Sequence, residues 1–265
     1  MTALADLFVG VAVVVAGQAA NRLILAGTNV KTECRSHMQQ IHDGAEAFSV
    51  TVIDATQTPE RVAMFAVGRG GNPLRHLPLL TSVASLGCRV VAPHFDILAS
   101  PIPSKAELDT RIRRLRASAD EYCKGCLPIV GIGHSIGTVA LLALAGGEAQ
   151  TFSGEQAISG SQVKFTRLAL CAPPADFFRK PGALESVRVP IRIWVGARDS
   201  ITPPAQAQFL QDALKSHVPI EICLDEEAGH FSYMDELPPS VTDPHPDRST
   251  FLASLANDVG QFVIA

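Results

Sequence analysis

One pentapeptide in this sequence has the residue types of a nucleophile site. Residues 133–137 have the sequence GHSIG and lie between an apolar run at residues 127–132 and a helix-forming run at residues 138–145. The two glycines permit a sharp turn between a strand and a helix, and such a turn holds its central side chain above the end of the strand. The pattern therefore predicts a nucleophile elbow with Ser135 at its tip.

A serine hydroxyl needs a neighbouring base to remove its proton, and the base needs an acid to orient it. Asp199 follows an apolar run at residues 190–196, which is typical of a buried strand. His230 follows a further strand candidate at residues 219–224, within the sequence EAGHF. The chain order Ser, Asp, His predicts a catalytic triad of Ser135, Asp199 and His230.

One alternative for the acid remains open at this stage. Asp176 follows the strand predicted at residues 165–171 and is the rival candidate for the acid. Asp199 is preferred because it follows the next strand along the chain, in the turn ARDSITP.

The joint spacing of these sites resembles that of the α/β-hydrolase superfamily, and the resemblance covers residues 47–265. From Gly229 to the final helix candidate after Asp247, the chain is similar to the branch of predicted dienelactone hydrolases and platelet-activating-factor-acetylhydrolase-like proteins. Dienelactone hydrolases have a cysteine nucleophile where this chain has Ser135. The resemblance implies an α/β fold, with a mostly parallel central sheet and helices on both faces.

An acyl-transfer site also needs two backbone N–H donors for the developing oxyanion. One is expected at Ile136, the residue after the nucleophile. Residues 67–73 have the sequence VGRGGNP, which resembles the family's His-Gly-x-Gly-Gly loop and implies that the N–H of Arg69 is the second donor. Val67 occupies the position where the family often has histidine.

The pocket is expected to be shallow and bounded by loops. Residues 171–190 are too few for a cap domain between the strands that they join, so short acyl groups are expected to be preferred. His134 is interpreted as a packing residue beside the nucleophile and not as the base. The candidate pocket residues are Gly68, His94, His134, Phe177 and Phe231.

The remaining elements alternate between strand and helix patterns, which predicts a mostly parallel sheet with helices on both faces. A half-exposed edge strand is predicted at residues 47–54 and a central strand at 61–67. A long helix is predicted at 104–122, with a capping box formed by Ser104 and Glu107. Four arginines of this helix are interpreted as part of a solvated, ion-paired face: Arg111, Arg113, Arg114 and Arg116.

Composition narrows the range of partners. The chain has 265 residues, 47% of them hydrophobic, and a net charge of -4, which gives no electrostatic reason to expect nucleic acid. Six cysteines are scattered and indicate no disulfide framework, and Cys123 with Cys126 forms the one C-x-x-C pair. The histidines show no metal-ligand spacing, so neither a metal nor a cofactor is expected. A small-molecule ester is the expected partner, and a homodimer is compatible with the sequence.

The N-terminal part carries the weakest signals. Residues 1–46 are treated as an extension of uncertain structure before a hydrolase domain at 47–265. The apolar stretch at residues 7–17 has no basic segment before it, so a cytoplasmic location is expected, with export as the alternative. No membrane span is expected, because Asn21 and Arg22 interrupt the apolar run. A start at Met38 is a further hypothesis.

Together these patterns predict a serine hydrolase of carboxylic esters that works through an acyl-enzyme. A thioesterase, lactonase, acyltransferase or peptidase would use the same triad, and a non-catalytic ligand-binding protein would keep the fold without turnover.

Overall fold

The computed structural model describes residues 34–55, 57–125, 127–158 and 162–265, which belong to one unit, Thr32–Ala265. The expectations for the apolar stretch at residues 7–17 and for Cys126 lie outside the described residues. No helix in the described ranges is both long and apolar enough to cross a bilayer.

Eight strands of the described chain form one sheet in the spatial order 1-2-4-3-5-6-7-8. The strands are β1 (Cys34–His42), β2 (Ala47–Ala55), β3 (Arg61–Ala66), β4 (Cys88–Pro93), β5 (Ile129–His134), β6 (Phe165–Cys171), β7 (Ile191–Gly196) and β8 (Ile220–Asp225). The first two pairings, β1 with β2 and β2 with β4, are antiparallel, and all the others are parallel. Because β3 to β8 run in one direction, their carboxyl ends meet at one edge, where open α/β sheets bind ligands.

Helices cover both faces of this sheet, as the sequence predicts. They are α1 (Leu77–Ser85), α2 (Lys105–Tyr122), α3 (Ile136–Leu144), α4 (Pro204–Leu214) and α5 (Arg248–Ile264). Apolar side chains of α1 and α5 form one buried core with the sheet, and those of α2, α3 and α4 form the other. The predicted fold class is therefore confirmed.

The prediction of an edge strand at residues 47–54 is wrong. β2 is covered by β1 on its outer side, and its side chains at Val50, Val52 and Ile53 are buried. β1 itself is the edge strand, and most of its residues are exposed. Its polar sequence has no alternation of apolar residues, so no strand signal was present in it. Met38, the hypothetical start, lies inside this strand opposite Thr51.

The predicted capping box of α2 is confirmed. The Ser104 hydroxyl accepts a hydrogen bond from the Glu107 N–H, and the Glu107 carboxylate accepts one from the Ser104 N–H at 2.8 Å. These bonds satisfy N–H groups that a helix start otherwise leaves without partners. The start of α2 is thereby fixed near the carboxyl edge of the sheet.

The connection from β6 to β7 is short. Residues 172–190 are all described, and they contain one turn of 3-10 helix at Asp176–Phe178. No cap domain is present in this connection, as the sequence predicts.

Candidate active site

Ser135 forms the turn between β5 and α3, since β5 ends at His134 and α3 begins at Ile136. Its φ of 53° and ψ of -132° are a backbone conformation that residues with a side chain rarely adopt. A Cβ atom on Gly137 would lie 2.0 Å from the carbonyl oxygen of Ala66, so α3 approaches β3 this closely only because residue 137 is glycine. The sharp turn holds the Ser135 hydroxyl at the carboxyl edge of the sheet.

His230 bridges the hydroxyl of Ser135 and the carboxylate of Asp199. Its Nε2 lies 2.9 Å from Ser135 Oγ, and its Nδ1 lies 2.9 Å from Asp199 Oδ2. The three residues come from the turn after β5, the turn after β7 and the loop after β8, which the parallel sheet brings together. When Nδ1 donates its proton to Asp199, Nε2 is left as the acceptor for the serine proton.

Asp199 is buried, and the turn that follows it holds its carboxylate in place. Oδ1 accepts hydrogen bonds from the backbone N–H groups of Ile201 at 2.8 Å and Thr202 at 2.7 Å. Burial alone would raise the pKa of Asp199, but hydrogen bonds from His230 and Thr202 and the charge of His230 outweigh it and lower the pKa. The carboxyl group is therefore ionised at neutral pH.

Thr202 is a site residue that the sequence analysis left without a role. Its Oγ1 lies 2.7 Å from Asp199 Oδ2 and 3.0 Å from His230 Nδ1, and the carbonyl oxygen of Ala172 is 3.2 Å away. The hydroxyl has one proton, so it donates to one of the oxygens at a time. The Asp-x-x-Thr spacing, which is typical of an Asx-type turn, is the sequence signal that could have identified Thr202.

The imidazole of His134 contacts the main chain of His230. Its Nε2 donates to the carbonyl oxygen of His230 at 2.9 Å. Burial, together with the neighbouring His230 and His76, lowers the pKa of His134 well below its ordinary value, so the ring stays neutral. The ring centre of His76 follows 5.3 Å behind that of His134. We refer to His76, His134 and His230 as the histidine row.

The loop after β3 lies against Ser135. A Cβ atom on Gly68 would lie 3.3 Å from Ser135 Cβ and 3.2 Å from His134 Nδ1, so this predicted pocket residue is adjacent to the elbow. The backbone N–H groups of Arg69 and Ile136 form no hydrogen bond with other described residues. Both are therefore available to a ligand oxygen, which the predicted oxyanion role requires.

Asp176 forms its contacts elsewhere. Its Oδ1 pairs with Arg179 at 2.8 Å, and its Oδ2 accepts a hydrogen bond from Gln206 at 2.6 Å. Within the described residues, Asp176 forms no hydrogen bond with His230, whose carboxylate partner is Asp199. The geometry therefore favours Asp199 over the alternative acid.

The other candidate pocket residues differ in their relation to Ser135. Phe231 packs edge-on against His230, with ring centres 5.2 Å apart, so it flanks this imidazole. The Nε2 of His94 lies 2.8 Å from Thr51 Oγ1, and the contact joins His94 to β2 and not to the Ser135 group.

A cavity of about 380 Å³ opens beside Phe177, whose buried ring packs edge-on against the exposed ring of Phe152. The lining of this cavity includes none of the residues Ser135, His230 and Asp199. The lining residues are Gln150, Thr151, Phe152, Gly154, Asp176, Phe177, Arg179 and Lys180.

The interpretation of the α2 arginines as a solvated face is wrong for two of them. Arg111 and Arg114 are buried, with 2% and 6% of their surface exposed. Arg111 lies three residues after Leu108 and four before Leu115, both buried. That spacing places it on the apolar stripe of the helix and was the signal for its burial. Arg116, by contrast, pairs with Asp120 as predicted.

Two further expectations concern the C-x-x-C pair and a metal site. Burial raises the pKa of Cys123 to about 11, so it is a thiol at neutral pH. Among the described residues, no group of three or more His, Cys, Asp or Glu is arranged to hold a metal ion. The absence of a cofactor stays a prediction.

No protein-family model matches the chain, and no curated protein matches it. Solved structures do match. An esterase domain from Rhodothermus marinus has a TM-score of 0.60 and 15% identity, over 86% of this chain and 97% of that one. A dienelactone hydrolase from Anabaena variabilis gives 0.60 and 15%, over 87% and 97%. An esterase from Pyrococcus furiosus gives 0.61 and 18%, over 91% and 97%. At these identities the likeness establishes the fold.

Proposed function

We propose that this chain, which has the α/β-hydrolase fold, is a serine hydrolase that cleaves carboxylic esters through an acyl-enzyme. The observation that carries the proposal is the line of hydrogen bonds from Ser135 Oγ through His230 to Asp199, each 2.9 Å long. The strained backbone of Ser135 supports it further, because strain of this kind is concentrated at functional sites. Several solved structures of the same fold are esterases.

In the first half of the reaction, Ser135 Oγ attacks the ester carbonyl carbon while His230 Nε2 takes the hydroxyl proton. The carbonyl oxygen becomes an oxyanion, which the N–H groups of Ile136 and Arg69 stabilise. Asp199 stabilises the imidazolium that forms. Collapse of the intermediate breaks the bond to the alkoxy oxygen, which leaves as the alcohol with the proton from His230.

In the second half, water attacks the acyl-enzyme. His230 takes a proton from the water, and the oxyanion forms again in the same position. When it collapses, the bond to Ser135 Oγ breaks and His230 returns the proton to the serine. The products are the carboxylic acid and the free enzyme, with no cofactor consumed.

Labelling with a fluorophosphonate probe tests the proposal directly. We expect the probe to modify Ser135 in the folded protein and Ser135→Ala to abolish both the labelling and the hydrolysis of p-nitrophenyl acetate. Ser216→Ala is the matched control, because Ser216 is an exposed serine on another part of the surface. Unchanged turnover in Ser135→Ala would disprove the mechanism, and an unlabelled wild-type protein would favour the non-catalytic, ligand-binding alternative.

The role of His230 has its own test. We expect His230→Ala to lose about as much activity as Ser135→Ala, because residues of a triad act as a unit and their losses are not additive. The double variant should be no slower than either single variant. A double variant that is much slower would show that the two residues act independently.

A further inference from the structure

The buried guanidinium of Arg111 contacts the loop that carries the candidate oxyanion donor. Its Nη1 donates to the carbonyl oxygen of Val67 at 2.9 Å, and its Nη2 donates to that of Arg69 at 3.3 Å. One side chain therefore bridges the two peptide groups on either side of the peptide that contains the Arg69 N–H.

Each carbonyl of this segment has a partner. The Gly68 oxygen accepts from the Gly71 N–H at 3.1 Å, and the Arg69 oxygen also accepts from the Leu98 N–H at 3.1 Å. A peptide group is planar, so fixing its C=O also fixes the N–H on the opposite side. Three consecutive peptide planes, starting at Val67, are held in this way, and the N–H of Arg69 belongs to the middle one.

Arg111 differs from an ordinary structural arginine in its surroundings. It forms no ion pair within the described residues, and its guanidinium lies over the face of Phe95, 4.8 Å from the ring centre. Burial lowers the pKa of Arg111 to about 10, so it is still a cation at neutral pH. A buried cation without a carboxylate is costly unless other groups solvate it, and here carbonyl oxygens do so.

The neighbouring Arg114 provides a contrast on the same helix. It is also buried, but it pairs with Glu46 at 3.3 Å and donates to the carbonyl oxygen of His94 at 3.3 Å. Within the described residues, Arg114 forms no hydrogen bond with the segment from Val67 to Arg69. The two arginines thus separate the general effect of a buried guanidinium from an effect on this loop.

We propose that Arg111 is a positioning residue that holds the Arg69 N–H in the orientation needed to stabilise the oxyanion. This inference rests on the proposed function, since it assigns a role within the same site. Val67 has an apolar side chain, so the side chain at the start of the loop has no polar group to orient the main chain. Arg111, which belongs to α2, orients the main chain from outside the loop instead.

The test compares Arg111→Met and Arg111→Lys with the control Arg114→Met. For each variant we would measure kcat, KM and the inhibition constant of an aryl trifluoromethyl ketone, which forms a tetrahedral oxyanion on the nucleophile. We expect Arg111→Met to lower kcat by about 100-fold, as when one oxyanion donor is lost, with KM unchanged. Ketone affinity should fall in parallel with kcat/KM.

Arg111→Lys should recover part of this loss, because an ammonium group can reach one carbonyl but cannot bridge two. Arg114→Met should lower the melting temperature without a selective loss of kcat. Equal kcat losses in Arg111→Met and Arg114→Met at matched folded fraction would overturn the inference, as would a loss confined to KM. If Arg111→Met does not fold, the same comparison applies to Arg111→Lys and Arg114→Lys.

The wild-type protein distinguishes the two levels of the proposal. An active wild type that is labelled at Ser135, together with an Arg111→Met variant that behaves like Arg114→Met, would refute the positioning role alone. An inactive, unlabelled wild type would refute the proposed function. In that case, amide hydrogen exchange of residues 67–73 decides whether Arg111 orders the loop, since only the Arg111 variants should accelerate it.

Discussion

Two buried polar clusters border the candidate site, and they solve the problem of burial in opposite ways. The first is the histidine row, where burial lowers the pKa of His76 to about 4 and keeps it neutral. The second is formed by Arg111, which stays charged and is solvated by carbonyl oxygens and the ring of Phe95. An imidazole can give up its charge when buried, whereas a guanidinium cannot.

The difference matches what each side must do in the proposed reaction. His230 gains a positive charge during turnover, and the imidazoles behind it add no competing charge. The loop at Arg69 must face a negative charge, and the permanent cation behind it holds the main chain in place. Neutral support for the base and cationic support for the oxyanion loop are thus the two halves of one site.

The largest loss of kcat is expected when Asp199, the proposed acid beside His230, is replaced. Asp199→Asn should lower kcat by up to about 10⁴-fold, because an amide no longer enforces the tautomer in which Nε2 accepts the serine proton. Asp176→Asn is the control, since Asp176 bonds to Arg179 and Gln206 and not to His230. Steady-state hydrolysis of p-nitrophenyl acetate measures both. A crippled Asp176→Asn beside a mild Asp199→Asn would show that the acid is misassigned.

A smaller loss is expected at Thr202, which supports the acid. Thr202→Val removes the hydroxyl that lies 2.7 Å from Asp199 Oδ2 while keeping the shape of the side chain. A hydrogen bond to a charged group contributes about 1.5–3 kcal/mol, so kcat should fall by about 10- to 100-fold. Thr202→Ser keeps the hydroxyl and should keep most of the activity. Equal rates for the valine and serine variants would show that the hydroxyl does not act on the acid.

The acyl-chain preference tests how much protein surface beside Ser135 can contact the acyl chain of a substrate. Residues 172–190 hold no cap domain, so a long acyl chain has little protein surface to contact and contributes little binding energy. We expect kcat/KM to be highest for short p-nitrophenyl esters and to fall beyond medium chain length. A maximum at long chains would contradict this and would show that another segment of the chain supplies a surface for long acyl groups.

The fold was accessible from the sequence because its signals are local. The buried strands are short apolar runs, and the capping residues Ser104 and Glu107 mark the start of α2 at their expected positions. β1 was missed because its polar side chains are exposed and only its pairing with β2 makes it a strand. A strand that is exposed on both faces carries no periodic apolar pattern, even when its partner is the next strand along the chain.

The candidate site was only partly accessible. Ser135, Asp199 and His230 stand at strand ends, so order and spacing were enough to propose them. Arg111 was misinterpreted because charge suggested a solvated residue, although its helical spacing from Leu108 and Leu115 indicated the buried face. Its bridge to Val67 and Arg69 depends on how α2 packs against the loop after β3, and no local pattern encodes that packing.

The smallest expected effect is on the pH dependence of the free energy of unfolding, to which the two clusters contribute differently. Between pH 6.5 and about 4, an unfolded chain binds a proton at His76 that the folded chain does not, so the free energy of unfolding falls as pH is lowered through that window. The slope from one such histidine reaches at most about 1.4 kcal/mol per pH unit. His76→Asn keeps a donor for the Tyr233 carbonyl and should reduce the slope. Arg111 remains charged throughout this window, so its replacement by the non-titrating methionine of Arg111→Met should leave the slope unchanged while lowering kcat. Urea unfolding from pH 4 to 7 measures both variants, and a wild-type slope in His76→Asn would mean that His76 is not the group kept neutral by burial.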